Sequence, residues 1–189
     1  STEQARGLLP STVSQADGAS PVGLAEALRK RGWQLGVESH VMTGEIAHAL
    51  LAMPAAVSDA LAGGLELRVD DRPDEEWYAC YAGGPHPVEA AGRQVMEAHP
   101  AVAFVSLRDG GHAVAVARAS VDARWVGVFA VAVAPDRRRE GLGAAVTLGA
   151  LKDAARRSAR HVYLQVEVDN VAAVALYRDR IGMSPDAAQ

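Results

Sequence analysis

Apolar positions change period along this chain, and the change divides it. In the second half, "AVAFVSL" (101–107) and "HAVAVARAS" (112–120) read as strands. Arg108-Asp109-Gly110-Gly111 joins them as a hairpin turn, in which Asp and Gly supply positive φ angles. "WVGVFAVAVAP" (125–135) is apolar on both faces, the mark of a strand central in its sheet. A long apolar helix is predicted over 141–159, a strand over 161–168 ("HVYLQVEV") and a last helix over 170–183, ending near Gly182. The first half is less regular. Residues 1–21 are polar and carry Pro10 and Pro21, as a tail or connector does. A short helix over 22–33 stops at Gly32, and a strand over 33–42 is interrupted by Gly36. Residues 43–61 are helical on balance, with Pro54 ending or bending the helix. "LELRV" (65–69) alternates as a strand, "PDEEWYACYA" (73–82) opens a helix with Pro and acids, "GGPHP" (83–87) breaks it, and 88–98 forms another. From 65 onward the order is strand, helix, helix, three strands, helix, strand, helix. That is an α/β (α+β) plan with a mixed sheet.

Composition adds limits. The chain has 189 residues, enough for one good core, and a net charge of −4 that marks no nucleic-acid binder. No window has the roughly 18 consecutive apolar residues of a membrane span. The one cysteine, Cys80, cannot staple a fold, so a reducing cytoplasm is the expected setting. No His/Cys/Asp cluster has metal-ligand spacing, and no metal is expected.

The chemistry concentrates in "APDRRREGLGAAVTLGAL" (134–151), where the central strand gives way to the long helix. Glycines at such a turn let backbone N–H groups crowd around an anion. The helix start adds unpaired N–H groups and a positive dipole end, and arginines add attraction for phosphate. Two readings stand: a pyrophosphate cradle, or an exposed basic turn capping an ordinary helix. Gly-Leu-Gly-Ala excludes a Walker A loop. The missing third glycine argues against a dinucleotide fingerprint.

"VAVAPDRRREGLGA" resembles the acyl-CoA pyrophosphate motif of the GNAT acetyltransferase superfamily, Arg/Gln-x-x-Gly-x-Gly/Ala, with Arg138, Gly141 and Gly143 in place. "LQVEVDNVAAVALYRDRIGM" (164–183) resembles the superfamily's second signature, with Asn170, Ala173, Leu176 and Tyr177 in the matching positions. The resemblance covers residues 64–183. It implies a mixed, mostly antiparallel central sheet flanked by helices, with its central strands, 125–134 and 161–168, splayed apart. It implies acetyl-CoA as cosubstrate and a primary amine as acceptor, on a small molecule or a polypeptide. The backbone of Val131, Ala132 and Val133 would then meet the pantetheine amides. The backbone of Arg139, Glu140, Gly141, Leu142, Gly143 and Ala144, with Arg138, would hold the pyrophosphate.

The same resemblance makes Tyr177 the acid that protonates the departing thiolate; packing on the sheet is its alternative role. Asn170 caps the last helix and would also touch the pantetheine. Several members carry a basic glutamate five residues before this asparagine, and here that position is Gln165. Glu167, on the same face, would serve directly or through water, or is a solvated strand residue. His112, Asp122 and His161 are weaker candidates. Cys80 has no adjacent base in sequence.

Two departures stand out. Met183 replaces the usual phenylalanine, and one extra residue separates Tyr177 from Gly182, so the helix must end differently. The family's final strand is represented only by "SPDAAQ". "AEALRKRGWQLGVESHVM" (25–42) looks like the tail of another such unit, with Leu28 at the tyrosine position, so strand 33–42 would complete the bared sheet edge. On this reading residues 1–62 are the remnant of a first unit, or an unrelated helical lid, and 63–189 are the acetyltransferase domain. Trp77 and Tyr81 would wall the acceptor beside Glu75 and Glu76, one of the two aromatics being a core residue instead. Nucleic acid and membrane are not expected partners; a homodimer is. A non-catalytic acyl-CoA sensor or scaffold is the alternative function, since fold does not fix activity.

Overall fold

The computed structural model describes residues 21–34, 36–51, 58–59, 62–83 and 88–185. The predicted tail over 1–20, most of the second half of the predicted 43–61 helix, and the Gly84–Pro87 break lie outside the described residues. The chain divides at Val37 and Glu38 into two units. In the first, helix α1 (Leu24–Lys30) ends where Gly32 turns left-handed, φ 83°.

The second unit is built on β1 (Ser39–Glu45), α2 (Ile46–Leu51), β2 (Glu66–Asp70), α3 (Glu75–Tyr81), α4 (Ala90–Glu97), β3 (Val102–Asp109), β4 (His112–Asp122), β5 (Trp125–Val133), α5 (Leu142–Arg156), β6 (His161–Glu167), α6 (Val171–Ala175) and β7 (Ser184–Pro185). The strands form one sheet in the order β2-β3-β4-β5-β6-β1-β7. Every neighbouring pair is antiparallel except β5 and β6, which run parallel. The β3–β4 hairpin turns on Gly110 and Gly111, at φ 55° and 96°, as Asp-Gly-Gly requires.

Alternation along the strands sorts their side chains into two cores. Val105, Leu107, Ala115, Val126, Val162 and Leu164 join α5, where ten residues are buried. Helix α5 lies close on the sheet because Gly149 has no side chain: a Cβ there would sit 2.8 Å from Leu67 Cδ1. On the opposite face Val102, Phe104 and Val116 pack with Trp77, Tyr78 and Cys80 of α3.

The first strand departs from the sequence reading. It spans 39–45 rather than 33–42, and Thr43, Gly44 and Glu45 extend instead of opening a helix. The cause is pairing: β1 matches β6 residue for residue, from Ser39 opposite Glu167 to Glu45 opposite His161. A ladder of that length outweighs a weak local helix preference. Gly44 also leaves room for Met183, whose Cγ would lie 3.3 Å from a Cβ at that position.

Candidate active site

Strand β5 carries the feature that opens the sheet. Phe129 faces Arg118 and Ala132 faces Val116, so Ala130 and Val131 together oppose the single residue Ala117. This is a β-bulge, and Ala130 takes φ 53° within it, a left-handed value uncommon for a side chain with a Cβ. Pairing of β5 with β6 covers only Trp125–His161, Val126–Val162 and Gly127–Tyr163. Beyond Gly127 the two strands part, while β6 keeps its ladder with β1 to the end. The backbone of Ala132 and Val133 thus pairs on the β4 side only, Val131 sits in the bulge, and all three stay half-buried.

The strand leads into a nest of N–H groups. After a 3-10 turn at Pro135–Arg137, Arg138 is extended, Arg139 is left-handed at φ 71°, and Gly141 is left-handed at φ 80° as the N-cap of α5. No side chain caps this helix. Its first internal bond runs from Ala145 N–H to Gly141 C=O, which leaves the N–H groups of Leu142, Gly143 and Ala144 without helical acceptors. Leu142 and Ala144 bury their side chains, so they can offer an anion only backbone. Glu140 is engaged sideways with Arg137, which also reaches Asp109 at 2.8 Å. That pairing fixes the loop and leaves Glu140 its N–H. Arg138 Nε–H donates to Val133 O at 3.4 Å.

The last helix runs along the open side of β5: a Cβ on Gly143 would lie 3.5 Å from Leu176 and 3.6 Å from Val133. Asn170 caps it, its Oδ1 accepting from Ala173 N–H at 3.2 Å. The extra residue after Tyr177 is absorbed as a π turn over Leu176–Arg180. Gly182 then closes the end at φ 72°, with Met183 N–H bonded to Tyr177 C=O at 2.9 Å. Tyr177 is buried, and burial alone pushes its phenol up to about 12. Gln165 and Glu167 share an exposed face of β6.

The acceptor side needs correction. Trp77 is 1% exposed, and its Nε1–H donates to Val105 O at 3.1 Å. It is a core residue and cannot wall a groove. Tyr81 stacks on it with ring centroids 5.6 Å apart and remains 38% exposed. Glu75 pairs with Arg93, and Glu76 lies 3.1 Å from His112 Nδ1. Cys80 is buried and its thiol is pushed up to about 11 by that burial, which leaves it a poor nucleophile. His161 packs on the Trp125 ring.

A cavity lies elsewhere, over β4, β5 and β6. It holds about 490 Å³ and is lined by Arg118, Ser120, Asp122, Trp125, Phe129 and Tyr163, among others. Gly127 makes its floor possible, because a Cβ there would come within 2.7 Å of both the Phe129 and Tyr163 rings.

The chain matches, over residues 20–186, the family described as probable histone acetyltransferase Rv0428c, C-terminal. It belongs to that family. No curated protein sequence matches it significantly. Among solved structures, a GCN5-related N-acetyltransferase from Kribbella flavida superposes with a TM-score of 0.60 at 23% identity, over 88% of this chain and 61% of that one. A tandem GNAT protein from the clavulanic acid biosynthesis pathway gives 0.61 at 16% identity, over 94% of this chain and 58% of its own. The ribosomal-protein-S18-alanine N-acetyltransferase from Escherichia coli gives 0.51 at 22%, over 60% of this chain and 76% of that one. The fold is therefore that of the GNAT acyltransferases. The chain spans about three-fifths of the length of the first two.

For this acetyltransferase family member, sequence reasoning found the nest and the last helix but missed the cavity. Arg118, Trp125, Phe129 and Tyr163 were not singled out. The signal was present in "RASVD" (118–122), where Arg118, Ser120 and Asp122 alternate onto one face of a strand that is otherwise apolar.

Proposed function

We propose that the protein moves an acetyl group from acetyl-CoA to a primary amine, by direct attack of the amine on the thioester. The observation that carries this reading is the open edge of β5 running straight into the nest at 138–144. On this reading the free backbone of Val131–Val133 takes the pantetheine arm as an added strand. The N–H groups of Arg139–Ala144 and the α5 dipole receive the pyrophosphate, with the guanidinium groups of Arg138 and Arg139 beside it. The acyl-CoA would supply the activated acyl group.

Tyr177 keeps its proton throughout the neutral range, because its pKa is near 12. An ordinary thiol titrates near 8.5, so complete transfer of the phenol proton to a thiolate is uphill by about 5 kcal/mol. Tyr177 therefore acts first as a hydrogen-bond donor to the sulfur as charge develops, and solvent completes the protonation. The amine must shed a proton before attack. Gln165 cannot take it; Glu167 does so directly or through water. Asn170 sets the start of the last helix and so the place of Tyr177. A non-catalytic acyl-CoA-binding role is the second reading, favoured by Gln165 at the expected position of a base.

Calorimetry with acetyl-CoA tests the first claim. Gly141→Asp puts a Cβ and a negative charge into the nest, and affinity should fall roughly 100-fold or more. Unchanged affinity in a folded variant would remove it. Thiol release over a panel of amines separates enzyme from sensor.

A further inference from the structure

Among the described residues two arginines are buried, and they are partnered differently. Arg108, 4% exposed, is fully partnered: Asp74 binds it through both carboxylate oxygens at 2.8 and 2.9 Å, and Ser106 Oγ and Gly111 O accept its other hydrogens. Arg118 is 9% exposed, and its Nε–H donates to Met96 O at 2.7 Å. Among the described residues no carboxylate lies within ion-pairing distance of it, and its terminal nitrogens have no hydrogen-bond partner. Its guanidinium stands 5.7 Å from the centre of the Phe129 ring and lines the 490 Å³ cavity. These nitrogens are not closed off from solvent: they reach the cavity, where they can pair with an anion that a ligand brings.

The cavity also fixes what kind of anion-bearing molecule fits. Arg118 pairs in register with Phe129, one residue before the bulge and beside the point where β5 and β6 part. That end of the cavity adjoins the bulge that leads into Val131–Val133, where the proposed pantetheine arm would end in its thioester. Trp125, Phe129 and Tyr163 form an apolar wall leading away from it. Asp122 lies at the far end, four residues along the same face of β4 and so roughly 13 Å from Arg118 between Cα atoms. The other polar lining groups are Ser120 and His99, whose Nδ1 accepts from Ala101 N–H. None of these supplies the missing counter-ion at the inner end.

We propose that the acceptor is a primary amine with a carboxylate a few bonds from its nitrogen, and that Arg118 grips that carboxylate while the nitrogen faces the thioester. This rests on the acetyltransferase reading of the site. The amine lone pair forms the C–N bond as the C–S bond breaks; the amine gives up one proton to a base or water, and the leaving sulfur gains one. The carboxylate belongs to a free amino acid or to an acidic residue beside a polypeptide's amino terminus. The chemistry at Arg118 is the same for both.

Matched pairs test it on the full chain: phenylalanine against its carboxamide, and short peptides opening Ala-Glu against Ala-Gln, each with acetyl-CoA and thiol release as readout. At least one carboxylate should exceed its amide in kcat/KM by roughly 10- to 100-fold, the worth of a hydrogen-bonded charge; the pair that discriminates identifies the source. Arg118→Met, similar in length and uncharged, should erase that preference mainly by raising KM for the carboxylate member of the pair. Arg118→Lys should restore part of it. Equal rates for both members of every pair in the wild type would overturn the proposal, as would equal losses on acid and amide in Arg118→Met. If no amine releases thiol, thermal shift with the same compounds decides. Stabilisation by the carboxylates alone, lost in Arg118→Met, keeps the site and discards acyl transfer. No shift with any of them discards the site.

Discussion

Asn170 and Tyr177 stand on one short helix, and only Asn170 has its side chain committed, to Ala173 N–H. The Tyr177 phenol is shaped by burial alone, with no bond contributing to its high pKa. A hydroxyl held this way is available to a developing thiolate. Tyr177→Phe keeps the ring and its packing but removes the donor. Acetyl-CoA affinity should stay within a few-fold, since at most one hydrogen bond is lost. Turnover should fall by roughly 10- to 100-fold, the worth of a hydrogen bond to a developing charge. A Phe variant that acetylates at the wild-type rate, with an unchanged melting curve, makes Tyr177 a packing residue. Residues such as Gly141 and Asn170 were legible in sequence because a turn or cap demands their type at a fixed offset. Trp77 was not, because a large apolar residue in the first turn of a helix packs inward or lines a groove with the same pattern. Arg118 was missed for a different reason: its alternation with Ser120 and Asp122 shows a polar face on β4, but not that a cavity lies over it.

Helix α3 shows how an element is fastened to the sheet by one residue. Asp74 accepts from Trp77 N–H at 2.9 Å as N-cap, and binds Arg108 on β3 with the same carboxylate. Burial alone would raise its pKa; the bonds from Arg108 and Trp77 outweigh burial and hold it below the ordinary 3.8. The sign follows. A carboxylate depressed in the folded state contributes its full stabilisation above the unfolded value, and loses it as pH falls through the folded one. Asp74→Asn keeps a cap but leaves Arg108 without its counter-ion, so it should cost about 2–3 kcal/mol at pH 7. Urea unfolding should find that gap narrowing as pH drops below 3.8. A gap constant from pH 7 to pH 3 would mean the charge does not matter. Capping and hairpin signals made α3 and the β3–β4 turn readable in advance. The π turn at Leu176–Arg180 was visible only as one residue too many, since spacing reveals an insertion and not how the backbone absorbs it.

At the scale of the molecule, the placement of β1 decides what the fold is. The first strand of the body lies near the far end of the sheet order, between β6 and β7, and the chain reaches it before any other strand is made. Its partners lie more than a hundred residues away, and local periodicity carries no information about such pairing. Local pattern placed a strand here several residues early, and only resemblance gave it the role of completing the sheet edge. The alternative expectation was a lid unconnected to the core, and the two make opposite claims about Met42. In the structure Met42 is 0% exposed, opposite Leu164 in β6 and packed in the same core as Ile46, Tyr177 and Met183. Met42→Ala removes three side-chain heavy atoms from a closed space, so both the lost transfer energy and the residual cavity count against it. The expected cost is about 2–5 kcal/mol. It should appear as a lower urea midpoint with an unchanged slope, because the surface exposed on unfolding is the same. Ser39→Ala, at the exposed start of the same strand, should stay within about 0.5 kcal/mol. If Met42→Ala also costs less than that, β1 is an appendage that the body can shed. The sheet that holds β6 away from β5 would then have to be completed by something else.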